Sequence, residues 1–184
     1  MGPGPIDAHI DRALDIGEAL EGSPNVALDL GSGGGVPGLP LVLAWPDSRW
    51  VLLDGGRKRA AFLEEATATL GLHERVTVVA QRAEEAGRGP LRGSIDCVVA
   101  RSFGPAAVTA ECAAPFLRVG GRLIVAEPPG GAPNRWDHAG LSLLGMRPGL
   151  VGSGPTSFQV IDQSSLCPDR FPRRTGVPGK RPLF

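Results

Sequence analysis

A short apolar run that ends in glycine constrains this chain more than any other feature. Val26-Ala27-Leu28-Asp29-Leu30 leads directly into Gly31-Ser32-Gly33-Gly34-Gly35-Val36-Pro37-Gly38. So much glycine cannot sit inside a stable helix or strand, because glycine loses more backbone freedom on ordering than any other residue. The apolar run therefore reads as a buried strand and the glycines as a tight strand-to-helix turn. In such a turn the backbone can come close to a ligand, and amide groups at the following helix start can hold an anion or carboxylate.

The rest of the chain repeats the same alternation. Strands are expected at 26–30, 50–53, 76–80, 95–100 and 123–126, and helices at 6–20, 38–44, 57–70 and 106–117. In the 57–70 helix, Ala61, Phe62, Ala66 and Leu70 read as the inner face, and the Gly120-Gly121 pair as a turn. Segments 140–146 and 157–161 read as antiparallel edge strands, 128–135 as a loop and the proline-rich tail from 168 as irregular. Repeated strand–helix–strand units with right-handed crossovers give a doubly wound, mostly parallel α/β sheet with helices on both faces. The 184 residues suit one domain, with an N-terminal helix in 1–24, an α/β core in 25–167 and a basic tail in 168–184.

Composition narrows the classes. With 27 glycines and 18 prolines the chain approaches low complexity, yet 42% hydrophobic residues supply a core. Nineteen basic residues balance nineteen acidic ones, which argues against binding nucleic acid by bulk charge but leaves room for a local basic patch. Cys97, Cys112 and Cys167 are odd in number and lack CxxC spacing, so neither a disulfide framework nor a structural zinc site is expected. With no apolar run of membrane length and no signal-peptide pattern, a soluble cytoplasmic protein is expected.

Asp54 closes the strand after the glycine loop, where an acid in an open α/β sheet can accept the ribose hydroxyls of a nucleoside ligand. Capping of the helix near Arg57 is the plainer alternative. The loop satisfies G-x-G-x-x-G only loosely, and no G-x-x-x-x-G-K-[ST] run exists.

Asp29 with the run D-L-G-S-G-G-G instead resembles the S-adenosylmethionine loop of class I methyltransferases. The likeness narrows along the chain. Residues 29–40 are similar to D-L-G-S-G-x-G-F-P-G-I-P, and Leu53-Asp54 with Lys58-Arg59 and Phe62-Leu63 to L-L-D-s-x-x-K-R-x-x-F-L. Arg82-Ala83-Glu84-Glu85 matches R-A-E-E, Val99 to Phe103 resembles the strand-four ending S-R-A-x, and residues 170–183 resemble Y-P-R-K-x-G-x-P-x-K-x-P-L. Together these motifs resemble the glucose-inhibited division protein B family, small-subunit (16S) rRNA guanine-N7 methyltransferases.

The resemblance implies S-adenosylmethionine as cofactor, held by Asp29, Gly31, Ser32, Gly33, Gly35 and Val36, with Gly31 and Val36 at the methionine end. It implies Asp54 at the ribose, Ala83 and Glu84 beside the adenine, and Arg101 as floor near the transferred methyl and catalytic candidate, without a general base. The implied partner is small-subunit rRNA or the 30S subunit, with no membrane partner and no metal. Arg173, Arg174, Lys180 and Arg181 are candidate contacts to RNA phosphates, against the plainer reading of a solvated charge run. Trp136 and Phe171 are candidate base-stacking residues.

Departures keep other acceptors open. Only 28 residues precede Asp29, and His9-Ile10-Asp11-Arg12-Ala13-Leu14 matches the family's H-x-x-D-S-L run imperfectly, implying a shortened N-terminal segment. Glu127 stands where the family carries Lys-Gly, and a carboxylate at the pocket mouth would repel a phosphate. A relative methylating a small-molecule acceptor, or a non-catalytic cofactor- or RNA-binding module, are the alternatives.

Overall fold

The computed structural model describes residues 5–18, 22–128, 135–152 and 156–184. Seven strands form one sheet: β1 (Val26–Leu30), β2 (Arg49–Leu53), β3 (Val76–Val79), β4 (Ile95–Ala100), β5 (Leu117–Ala126), β6 (Met146–Gly152) and β7 (Phe158–Gln163). Their order is β3-β2-β1-β4-β5-β7-β6. The pairs from β3 through β5 are parallel, whereas β7 runs antiparallel to both β5 and β6. The strand order reverses between β1 and β4, the place where open α/β sheets bind ligands at their carboxyl ends. The doubly wound, mostly parallel architecture is the expected one.

The sheet is buried on both faces, which is why its central strands are continuously apolar. Leu28, Leu30, Val98 and Leu123 join one core with Phe116 and Leu141, while Ala27, Leu52, Val99 and Ile124 join the other with Leu41 and Leu63. Helix α1 (Ile6–Glu18) lies on α2 (Gly38–Ala44). A Cβ on Gly17 would stand 2.8 Å from Leu41 Cδ2, so glycine there eases the close approach of the two helices.

Three local expectations are corrected. Helix α3 (Arg57–Thr69) buries Ala60, Leu63 and Thr67, while Ala61, Phe62 and Leu70 face solvent. Both stripes have helical spacing; the inner one tolerates a threonine because Thr67 Oγ1 donates to the Glu64 carbonyl at 2.9 Å. The Gly120-Gly121 pair lies inside β5, where the register against β4 shifts between Ile95 and Cys97. A Cβ on Gly121 would sit 2.9–3.1 Å from three carbonyl oxygens, so glycine here permits a bulge. Most of the segment read as a strand at 140–146 belongs to helix α6 (His138–Leu143), whose N-terminus is capped by Asp137 Oδ2 accepting from the Gly140 amide at 2.6 Å. The strand in that region is β6, which starts only at Met146.

The tail is packed as well as polar. Arg92 donates to the carbonyls of Phe171 and Cys167, each at 2.8 Å, and Arg88 donates to that of Pro172. A short helix, α7 (Val177–Lys180), follows. The loop expected at 128–135 lies mostly outside the described residues.

Candidate functional site

A cavity of about 910 Å³ opens at the carboxyl ends of the strands, over the β1/β4 switch point. Each strand end delivers a different group. The glycine loop follows β1, Asp54 follows β2, Arg101 follows β4 and Glu127 follows β5. Ala83 and Glu84 begin α4 (Ala83–Ala86) after β3.

Of the loop residues expected at a cofactor, Gly31, Ser32, Gly33 and Val36 line this cavity, and Asp54, Ala83, Glu84 and Arg101 join them. Asp29 and Gly35 do not line it. Gly31 has φ +75°, and a Cβ there would stand 2.6 Å from Phe103 Cδ2, so the residue must be glycine for the turn and for the close contact. Gly35 supports the turn from behind: its Cβ would lie 2.5 Å from Leu39 Cδ1.

Asp29 is a foundation beneath the loop. Its side chain is buried, and Oδ2 accepts from the Gly38 amide at 3.1 Å, which ties the strand to the start of α2. Oδ1 has no hydrogen-bond partner. Burial pushes the carboxyl up to about 7, although the Gly38 amide, Ser32 and the Arg101 charge pull the other way. Arg101 is half-buried; desolvation lowers it, the negative charge of Asp29 partly restores it and the positive charge of Arg12 opposes that restoration.

Asp54 organises the second strand end. Oδ1 accepts from the Gly56 amide at 2.7 Å and from Arg59 Nε at 2.9 Å, and Oδ2 accepts from the Gly33 amide at 3.0 Å. The residue capping α3 is Gly56, so the capping alternative does not describe Asp54. A carboxylate oxygen has two acceptor positions. Oδ2 therefore keeps one, on a residue that lines the cavity. Glu84 is buried rather than solvated; Oε1 accepts from the Gly176 amide at 2.9 Å, so the tail helps wall the cavity.

Other expectations change. Glu127 does not carry an open negative charge: Oε2 accepts from Arg135 Nη1 at 2.7 Å and Oε1 from Trp136 Nε1 at 2.8 Å. Arg135 thus replaces the cation that the β5 exit lacks in sequence, and repulsion of a phosphate there is cancelled. Trp136 and Phe171 are buried in the core and offer no open face for a base. Arg173 is committed inward, donating from Nε at 2.8 Å and Nη2 at 2.5 Å to Glu111, which is fully buried. Arg174, Lys180 and Arg181 are exposed, and none of the four tail cations lines the cavity.

Residues not expected at the site are His9, Arg12, Arg59, Arg82 and Arg135. His9 is buried on α1, with Nδ1 3.3 Å from Arg101 Nη1. The three-residue spacing of His9 and Arg12 on one amphipathic helix was the available signal. Cys97 and Cys167 are buried and pushed up to about 12 and about 11, and Cys112 is raised too, which suits packing rather than nucleophilic attack. Among the described residues no three His, Cys, Asp or Glu side chains gather as metal ligands, and no helix is long and apolar enough to cross a membrane.

Residues 6–127 match the GidB family, described as rRNA small subunit methyltransferase G. The protein of that name from Leuconostoc mesenteroides is 34% identical over 176 residues, covering 90% of this chain and 72% of the relative. That from Roseiflexus castenholzii is 34% identical over 97% of this chain and 80% of its own length. The chain belongs to this family. The GidB match makes it an S-adenosylmethionine-dependent methyltransferase, and the cradle fits that cofactor: a turn with left-handed glycines at 31, 33 and 35, and the buried carboxylates of Asp54 and Glu84 on the cavity lining. Solved structures share the fold at low identity. The geranyl diphosphate C-methyltransferase of Streptomyces coelicolor is 14% identical with a TM-score of 0.61, over 82% of this chain and 76% of that one. A geranyl diphosphate methyltransferase crystallised with sinefungin gives 14% and 0.62, over 83% and 77%.

Proposed function

We propose that this GidB-family chain transfers a methyl group to N7 of a guanine in small-subunit rRNA. The observation that carries the reading is the cavity itself: a cofactor cradle that continues into open space bordered by arginine. When bound, S-adenosylmethionine supplies a sulfonium methyl. Guanine N7 presents a lone pair in the ring plane and bears no proton, so the chain needs to align the acceptor and exclude water rather than remove a proton.

The chain's own residues divide that work. The Gly31–Val36 turn forms the floor for the methionine end. Asp54 Oδ2 accepts from a ribose hydroxyl while Arg59 and Gly56 hold its other oxygen. Ala83 and Glu84 flank the adenine, and Arg101 with Phe103 borders the acceptor side. Arg174, Lys180 and Arg181 remain exposed for RNA phosphates, and Arg173 positions the tail that carries them. The Glu127–Arg135 pair offsets the carboxylate that favoured a small-molecule acceptor.

The test is transfer of labelled methyl to small ribosomal subunits lacking the modification, with the labelled nucleoside identified afterwards. 7-Methylguanosine in the small-subunit rRNA is the expected product. Saturable binding of S-adenosylhomocysteine without transfer to small subunits would overturn the RNA acceptor while leaving the cofactor cradle standing.

A further inference from the structure

The charges around the cavity do not cancel as they do over the whole chain. Three carboxylates line it, and each is matched by its own arginine: Asp54 with Arg59 at 2.9 Å, Glu84 with Arg82 at 3.7 Å and Glu127 with Arg135 at 2.7 Å. Two further arginines, Arg12 and Arg101, also line it, and among the described residues neither forms an ion pair with a carboxylate. Arg12 projects from exposed positions on α1, and Arg101 from the end of β4 is half-buried. Arg12 lies close enough for its positive charge to act on Arg101.

Like charges brought together at a cavity mouth cost free energy unless an anion joins them. Two carboxylates near the pair, Asp15 and Asp29, are bonded to other groups. On α1, Asp15 Oδ2 accepts from Thr156 Oγ1 at 2.6 Å. Below, Asp29 is sealed from the cavity, and its elevated carboxyl is only partly ionised at neutral pH. His9 is a neighbour of Arg101 but supplies no negative charge. Guanidinium groups match the oxygens of phosphate in a planar, two-point fashion.

We infer that Arg12 and Arg101 together seat a backbone phosphate of the acceptor strand at the mouth of the cavity, next to the base to be methylated. The inference rests on the rRNA reading above and adds to it the element that fixes the acceptor's register. Phosphate contacts position a nucleic acid without reading its sequence, so this seat sets where the strand enters while the cavity admits the base.

The experiment uses the full chain loaded with S-adenosylhomocysteine and two Arg12 variants, because Arg12 is exposed and outside the cofactor loop. Pyrophosphate is titrated calorimetrically as the anion probe, and small-subunit binding is measured as a function of salt. Arg12→Gln is expected to weaken pyrophosphate at least fivefold, to weaken small-subunit binding several-fold and to lower its salt slope by about one. Arg12→Glu is expected to abolish pyrophosphate binding, and S-adenosylhomocysteine affinity should stay within about twofold in both variants. Unchanged pyrophosphate and small-subunit binding in Arg12→Glu would overturn the seat. A parallel loss of S-adenosylhomocysteine affinity would also overturn it, by showing that the anion held is the cofactor's own carboxylate. Absence of methyl transfer by the unmodified chain, with Arg12-dependent pyrophosphate binding intact, would remove the rRNA reading and leave the phosphate seat supported.

Discussion

The glycine loop and the tail, which meet at the cavity, are held mainly by different means. On the glycine-loop side, carboxylates fix backbone amides: Asp29 holds Gly38, and Asp54 holds Gly33 and Gly56. On the tail side, arginines fix backbone carbonyls, Arg92 those of residues 167, 168 and 171 and Arg88 that of Pro172. Arg173 clamps the Glu111 carboxylate, and Glu84 adds one tie to the Gly176 amide. The loop is short and follows a strand, so it is set mainly by allowed backbone angles. The tail is long and remote in sequence, so only strong side-chain bonds can hold it. Most charges on both walls are therefore spent on structure, and the few left unmatched mark where a partner's charge belongs.

The largest expected effect is on the tail. Arg173→Met leaves Glu111 buried without its guanidinium and should destabilise the fold by about 3–5 kcal/mol, read from chemical denaturation. Replacing both residues together, Glu111→Leu with Arg173→Met, should recover most of that loss. A double variant no better than the single one would mean that the tail depends on the charge itself.

The loop wall carries a pH signature of its own. The Asp29 carboxyl is raised from 3.8 to about 7 in the folded chain. Between those values the folded chain keeps a proton that the unfolded chain has released, so this group's contribution falls as pH rises from about 4 to about 7 and is level above. The fall is at most roughly 4 kcal/mol. Asp29→Asn, which cannot ionise, should remove that slope from the stability profile. A slope that survives in Asp29→Asn would assign it to another group.

Two smaller effects separate cofactor binding from folding. Asp54→Ala should weaken S-adenosylhomocysteine binding by about 1–3 kcal/mol, since a ribose acceptor is lost along with two amide ties. Unchanged calorimetric affinity in a folded variant would reduce Asp54 to a loop brace. Gly31→Ala forces a side chain into the left-handed region at a cost of about 1–2 kcal/mol, and its Cβ meets Phe103. Its expected readout is a lower melting temperature together with weaker cofactor binding.

Much of the frame was legible because it is locally encoded. The apolar runs that become β1, β2 and β4 and the glycine turn are dictated by burial on both faces and by allowed backbone angles. The positions of Asp54, Glu84 and Arg101 at successive strand ends follow from that frame once the strand order is a doubly wound one. The inner face of α3 was not legible, since Phe62 and Leu63 have equal claim until the helix is docked. Nor was α6, whose cap Asp137 went unread beside an apolar stretch.

The sequence by itself determined the alternating architecture, the cofactor turn and the family, because these rest on short-range periodicity and contiguous motifs. Only the tertiary structure decided what each charge does. It matched Glu127 with Arg135 and Glu111 with Arg173, buried Trp136, and left Arg12 beside Arg101. The physical reason is that an ion pair depends on distance in space and on desolvation, and neither quantity is carried by the order of residues along the chain.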